Sequence, residues 1–134
     1  MNIYKYLTNR KYRVFYKKLK SVEVVIWENE FKIIKARQLR ESIRQDRDHS
    51  IESTRGIDEA LKTEKDKEKI KVLNADKAVH QDNTKRYEAQ MKMIDNQISG
   101  VPAQGENPGE NGIRDTIKSL AELREMYKDY LTKI

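Results

Sequence analysis

The placement of glycine and proline constrains this chain more than any other feature. Neither occurs among the first 55 residues. Gly56 stands alone, and Gly100, Pro102, Gly105, Pro108, Gly109 and Gly112 then crowd into thirteen positions. Glycine interrupts regular structure by its backbone freedom and proline by its missing N–H. The chain therefore reads as two long uninterrupted stretches over 1–99, a Gly/Pro-rich linker over 100–112 and a final segment over 113–134.

The first stretch carries a helical rhythm. Phe15, Leu19, Val22, Ile26, Ile33, Ala36 and Ile43 fall on alternating steps of four and three, with Asn29 and Arg40 at the two intervening positions. This spacing lays one seam along a helix that packs on another helix. A strand is the rival reading, because Val25, Trp27, Phe31 and Ile33 are separated by even numbers of residues and so share one face of a strand. The lack of any flanking turn residue and the helix formers of "KARQLRESIRQ" favour the helix.

"DRDHSIESTRG", from Asp46 to Gly56, is rich in side chains that bond to their own backbone, so a break or turn is expected near 46–56. The second stretch resumes the rhythm at Ile70, Leu73, His80, Tyr87, Met91, Ile94 and Ile98, with Lys77 and Thr84 completing the series. Between them "KTEKDKEK", residues 62–69, has no apolar residue and must be solvated. Ser99-Gly100 followed by Pro102 reads as a helix stop. Asn111 is placed to cap a last helix whose face holds Ile113, Ile117, Leu120, Tyr127, Leu131 and Ile134, with Arg124 interrupting the row.

The expected fold class is all-α: an elongated helical hairpin or coiled-coil-like bundle of two long helices plus a short C-terminal amphipathic helix. Composition agrees. Charged residues make up 37% of the chain and its mean hydropathy is −0.95, too polar for a broad core but sufficient for a narrow seam.

Chemistry is sparse. With no cysteine, disulfides and thiolate metal sites are excluded. The two histidines, His49 and His80, stand in no ligand motif. Neither Asp46, Asp48 and Glu52 nor Glu64, Asp66 and Glu68 has the spacing of a calcium loop. The glycines of "QGENPGENG" lack phosphate-loop spacing and follow a helix rather than a strand. The expectation is a protein that is not an enzyme and has no catalytic residue, cofactor, metal or small-molecule substrate.

The charge is polarised. Residues 1–45 hold twelve Lys or Arg against four acids, and the remainder sixteen against eighteen. Seven of the ten aromatic residues also lie within the first 31. Rings supply much of the binding energy at interface centres, which makes Tyr4, Tyr12, Phe15, Tyr16, Trp27 and Phe31 the candidate partner-binding set. The expected function is a non-enzymatic helical assembly protein that docks on subunits of a larger complex, on copies of itself, or both. By analogy of architecture, a minor component of a viral particle has this character.

Nucleic-acid binding is the alternative. Lys5, Arg10, Lys11, Arg13, Lys17, Lys18 and Lys20 are the candidate phosphate contacts, extended by Lys32, Lys35, Arg37, Arg40 and Arg44. No apolar run is long enough to span a bilayer, and "MNIYKYL" has no secretory-signal pattern. A membrane partner is therefore disfavoured, and the expected location is intracellular or within a viral particle.

Overall fold

The computed structural model describes residues 1–100 and 112–134. Four helices follow one another: α1 (Ile3–Thr8), α2 (Arg10–Thr63), α3 (Lys67–Ser99) and α4 (Ile113–Lys133). The described residues contain no strand, so Val25–Ile33 is helical as the turn-free flanks indicate. Of the 100–112 linker, only Gly100 and Gly112 fall within the described residues.

Met1–Lys35 and Asn96–Ile134 form one compact unit. Two asparagines organise its start. Asn2 Oδ1 accepts from Lys5 N at 3.1 Å and caps α1, while Asn9 Oδ1 accepts from Tyr12 N at 3.1 Å and caps α2. α1 folds back on α2, where Asn2 N donates to Tyr12 Oη at 3.0 Å and the Tyr6 ring meets Tyr16 edge-on at 5.5 Å. Tyr12, Leu19 and Leu131 are the buried centre, surrounded by Tyr6, Phe15, Tyr16, Tyr127 and Ile134. Phe15 lies 5.9 Å from Tyr127 and 4.5 Å from Tyr130, so the ends of α2 and α4 that carry these rings are fastened together.

The 3–4 series predicted for α4 faces inward, including Arg124, which is only half exposed. Its Nε is buried and makes no hydrogen bond, with Glu125 Oε1 3.5 Å away as an ion-pair contact only. At the other end of this helix Gly112 takes the N-cap position, with no side-chain cap bond. Asn111, expected to cap, lies outside the described residues. A Cβ on Gly112 would meet the backbone of Ser99 and Gly100 and stand 2.8 Å from the Ile98 carbonyl oxygen. Only glycine permits that approach. α3 ends as its sequence requires, with Gly100 in the left-handed region at φ 85° and its N–H bonded to Asn96 O.

Ala36–Asp95 is the second unit, a hairpin of the later part of α2 against α3. The break expected near 46–56 is absent, because α2 runs through to Thr63. The polar residues there serve the helix instead. Arg44 bridges to Asp48, Arg55 to Glu52 and Lys62 to Glu59, all at helical spacing. Thr54 Oγ1 donates back to Ser50 O at 3.0 Å. The seam rhythm continues unbroken from Ile43 through Arg47, Ser50, Thr54, Ile57 and Leu61, none of them exposed.

The chain reverses at Glu64, Lys65 and Asp66 instead, inside the segment that has no apolar residue to continue the seam. Glu64 Oε1 accepts from both Lys65 N and Asp66 N at 3.1 Å, and Asp66 Oδ1 accepts from Glu68 N at 2.9 Å, capping α3. Two ion pairs then fix the hairpin register: Arg40 with Asp95, bidentate at 2.7 and 3.2 Å, and Lys77 with Asp58 at 2.6 Å.

Candidate protein-docking surface

α2 carries two stripes. The seam at Leu19, Val22, Ile26, Asn29 and Ile33 faces inward. Val24, Trp27, Phe31 and Ile34 step by three, four and three on the other side of the helix, which places them on one face by the same geometry. That face is open: Val24 is 54%, Trp27 63%, Phe31 44% and Ile34 52% exposed.

The rings stack on one another. Trp27 and Phe31, one helical turn apart, stack with centroids 5.7 Å apart and planes within 8°. Lys35 Nζ sits 5.0 Å from the Phe31 centroid, a cation–π contact that covers the far end of the stack. Aromatic side chains have only two rotatable bonds to fix on binding, which suits them as interface anchors.

The six expected partner-binding rings divide accordingly. Tyr12 is buried in the core of its own unit, and Phe15 and Tyr16 pack around it, so these three hold the fold. Their positions explain it, since Tyr12, Phe15 and Leu19 are successive members of the inward series. Tyr4 is exposed on α1 beside Ile3 and Leu7, and Trp27 and Phe31 are exposed on α2. Val24 and Ile34 complete the α2 stripe and were not singled out from sequence. A second 3–4 series, offset from the seam, is the signal that marks them.

The basic set is similarly divided. Arg13 Nη1 donates to Tyr6 O at 3.4 Å, Lys18 lies 4.8 Å over the Phe15 ring, and Lys20 bridges to Glu23 at 3.2 Å. That bridge, chiefly its hydrogen bond, raises the Lys20 ammonium above its ordinary value. Arg40 and Arg44 are engaged with carboxylates, and the Arg44 contact lowers Glu41. Lys5, Arg10, Lys11 and Lys17 make no ion pair among the described residues. The expected phosphate contacts thus divide into cations engaged within the fold and cations with no ion pair among the described residues.

His80 is half-buried at a seam position, and His49 is exposed on α2 rather than in a turn. Among the described residues no three His, Cys, Asp or Glu side chains come together as a metal-binding group. No family model, curated protein or solved structure matches the chain.

Proposed function

We propose that this chain is a non-enzymatic helical assembly protein that docks into a larger protein complex through the outer stripe of α2. The observation carrying this reading is the preformed Trp27–Phe31 stack, exposed between Val24 and Ile34. Surface rings scattered singly need no explanation, but four apolar side chains aligned at helical spacing form a ready groove partner. A minor component of a viral particle or comparable machine is the proposed setting. Among the described residues no helix is long and apolar enough to cross a membrane.

The test is retention of the purified host complex on the immobilised full-length chain. Trp27→Ala with Phe31→Ala should reduce retention at least tenfold while far-UV circular dichroism stays unchanged, because both rings are already solvent-exposed. Arg10→Gln with Lys17→Gln should matter little. Equal retention by the ring variant would refute the reading.

One observation favours nucleic acid as a second reading. Residues 1–22 contain no carboxylate, and Arg10, Lys11 and Lys17 make no ion pair among the described residues. If the basic variant proves the damaging one, and binding falls steeply with added salt, phosphate contacts replace the stripe as the docking principle.

A further inference from the structure

The 36–95 hairpin keeps a single antiparallel register. Moving 18 residues along α2 from Arg40 to Asp58 corresponds to moving 18 back along α3 from Asp95 to Lys77. Thr54 and Gln81, which line one groove, obey the same relation, as do Ile51 and Thr84. Both ion pairs are thus equidistant from the midpoint between Lys67 and Glu68.

The reversal itself contains no obligate helix breaker. Glu64, Lys65 and Asp66 include no glycine or proline, and no non-glycine residue among those described has a positive φ. Three turn N–H groups rely on side-chain oxygens, those of Lys65 and Asp66 on Glu64 and that of Glu68 on Asp66. In a straight helix the same N–H groups would reach the carbonyls of Leu61, Lys62 and Glu64. Opening the turn therefore costs no backbone hydrogen bond. The 3–4 series would pass through as Leu61, Glu64, Lys67, Ile70 and Leu73, with consecutive three-residue steps that coiled coils accommodate by local overwinding.

The charges around the turn fit a partner that the closed hairpin does not supply. Extending the same register across two antiparallel copies sets Glu64 level with Lys71 of the second copy, Asp66 with its Lys69, and Lys67 with its Glu68. All three pairs are of opposite sign, and twofold symmetry repeats each. None of these six residues makes an ion pair among the described residues. No like-charged pair falls anywhere within 62–73 in this register.

We propose that the hairpin exchanges arms between two copies of this chain, straightening at Glu64–Asp66 to give an antiparallel two-stranded dimer that retains every facing pair of the closed form. Exchange of identical elements is a low-cost route to dimers, because the native contacts are reused. The inference does not depend on the docking stripe, which lies outside residues 36–95.

The chain's lack of cysteine makes the test direct. Full-length Thr54→Cys and Gln81→Cys chains are refolded together and treated with a short bis-maleimide. Exchange predicts a covalent product at twice 15.9 kDa in the mixture and in neither variant alone. Like cysteines in the dimer would lie 27 register steps out of alignment, about 40 Å along the helices. The Thr54→Cys, Gln81→Cys double variant, cross-linking within one chain, calibrates the reach. Glu64→Ala with Asp66→Ala, which removes the oxygens holding the turn, should raise the dimer fraction several-fold by light scattering. Inserting two glycines after Lys65 should abolish it. A Glu64→Ala, Asp66→Ala chain that stays monomeric at its solubility limit, with no mixed product, overturns the proposal.

Discussion

Gly56→Ala separates a helix from a turn at the centre of the chain by the sign of its effect. Gly56 lies inside α2, its φ is not positive, and a Cβ built on it meets nothing within 4 Å. Alanine can therefore adopt the native backbone without strain or displacement. What changes is the conformational entropy lost on folding, for which glycine in a helix interior is worse than alanine by about 0.5–1 kcal/mol. No packing contribution adds to this, because the site is open.

The substitution should raise the urea midpoint with an unchanged slope and lift Tm by about 2–5 °C, both followed by far-UV circular dichroism. Gly112→Ala supplies the contrasting sign. There the new Cβ meets the end of α3, and overpacking against backbone should cost roughly 1–3 kcal/mol. Destabilisation by Gly56→Ala of about 1 kcal/mol or more would show that residue 56 needs a conformation only glycine adopts. The continuous α2 would then be wrong.

Ile26→Asp and Ile94→Asp each place a charge at a buried seam position and should cost about 3 kcal/mol or more in denaturant titrations; helicity and stability unchanged in both would sink the seam. Arg124→Leu should stabilise by roughly 1 kcal/mol, since it removes a buried Nε that makes no hydrogen bond and gives up only a long 3.5 Å contact with Glu125, and a lower urea midpoint would count against this account. Glu41 and Glu52 are held below the ordinary 4.5, chiefly by hydrogen bonds from Arg44 and Arg55. Their stabilising effect is complete above 4.5 and disappears as pH falls through the depressed folded values. Acid titration below that point should reduce α2 helicity, less so in high salt and less so in Glu41→Gln with Glu52→Gln. An identical acid profile for that variant would exclude these pairs as the cause.

The inward faces were legible wherever apolar residues kept the 3–4 rhythm, as in Phe15–Ile43, Ile70–Ile98 and Ile113–Ile134. They became illegible where the rhythm persisted in polar residues. Arg47, Ser50 and Thr54 hold seam positions, but their composition resembles a turn, and the helix satisfies them by local bonds that composition cannot display. The true reversal was hidden for the converse reason. Glu64, Lys65 and Asp66 belong to a run with no obligate helix breaker, and the mark of the turn is the lapse of the seam between Leu61 and Ile70. Among the aromatic residues type was misleading and position decisive. Tyr12 and Phe15 lie on the inward series, whereas Trp27 and Phe31 belong to the second, outward one.

The two units are held by different physics. Within Met1–Lys35 and Asn96–Ile134, rings and large aliphatic side chains interlock, and such contacts lose their energy sharply on displacement. Within Ala36–Asp95 only Ser50, Met91 and Ile94 are buried, and the middle of the seam is arginine, serine, threonine, lysine and histidine. Burial at about 25 cal/mol per Å² gives such a seam little preference among registers. Selection then falls to Arg40–Asp95 and Asp58–Lys77, both substantially solvated and therefore modest in strength. A hairpin specified by a few charge pairs rather than by a close-packed interior parts at little cost within 36–95, but Met1–Lys35 and Asn96–Ile134 follow its opposite arms, so exchange must also re-form the Tyr12, Leu19 and Leu131 core between chains. Its pairs are equally well formed between two chains as within one. Under the proposed exchange both units are therefore shared between copies, with the aromatic contacts remade between chains.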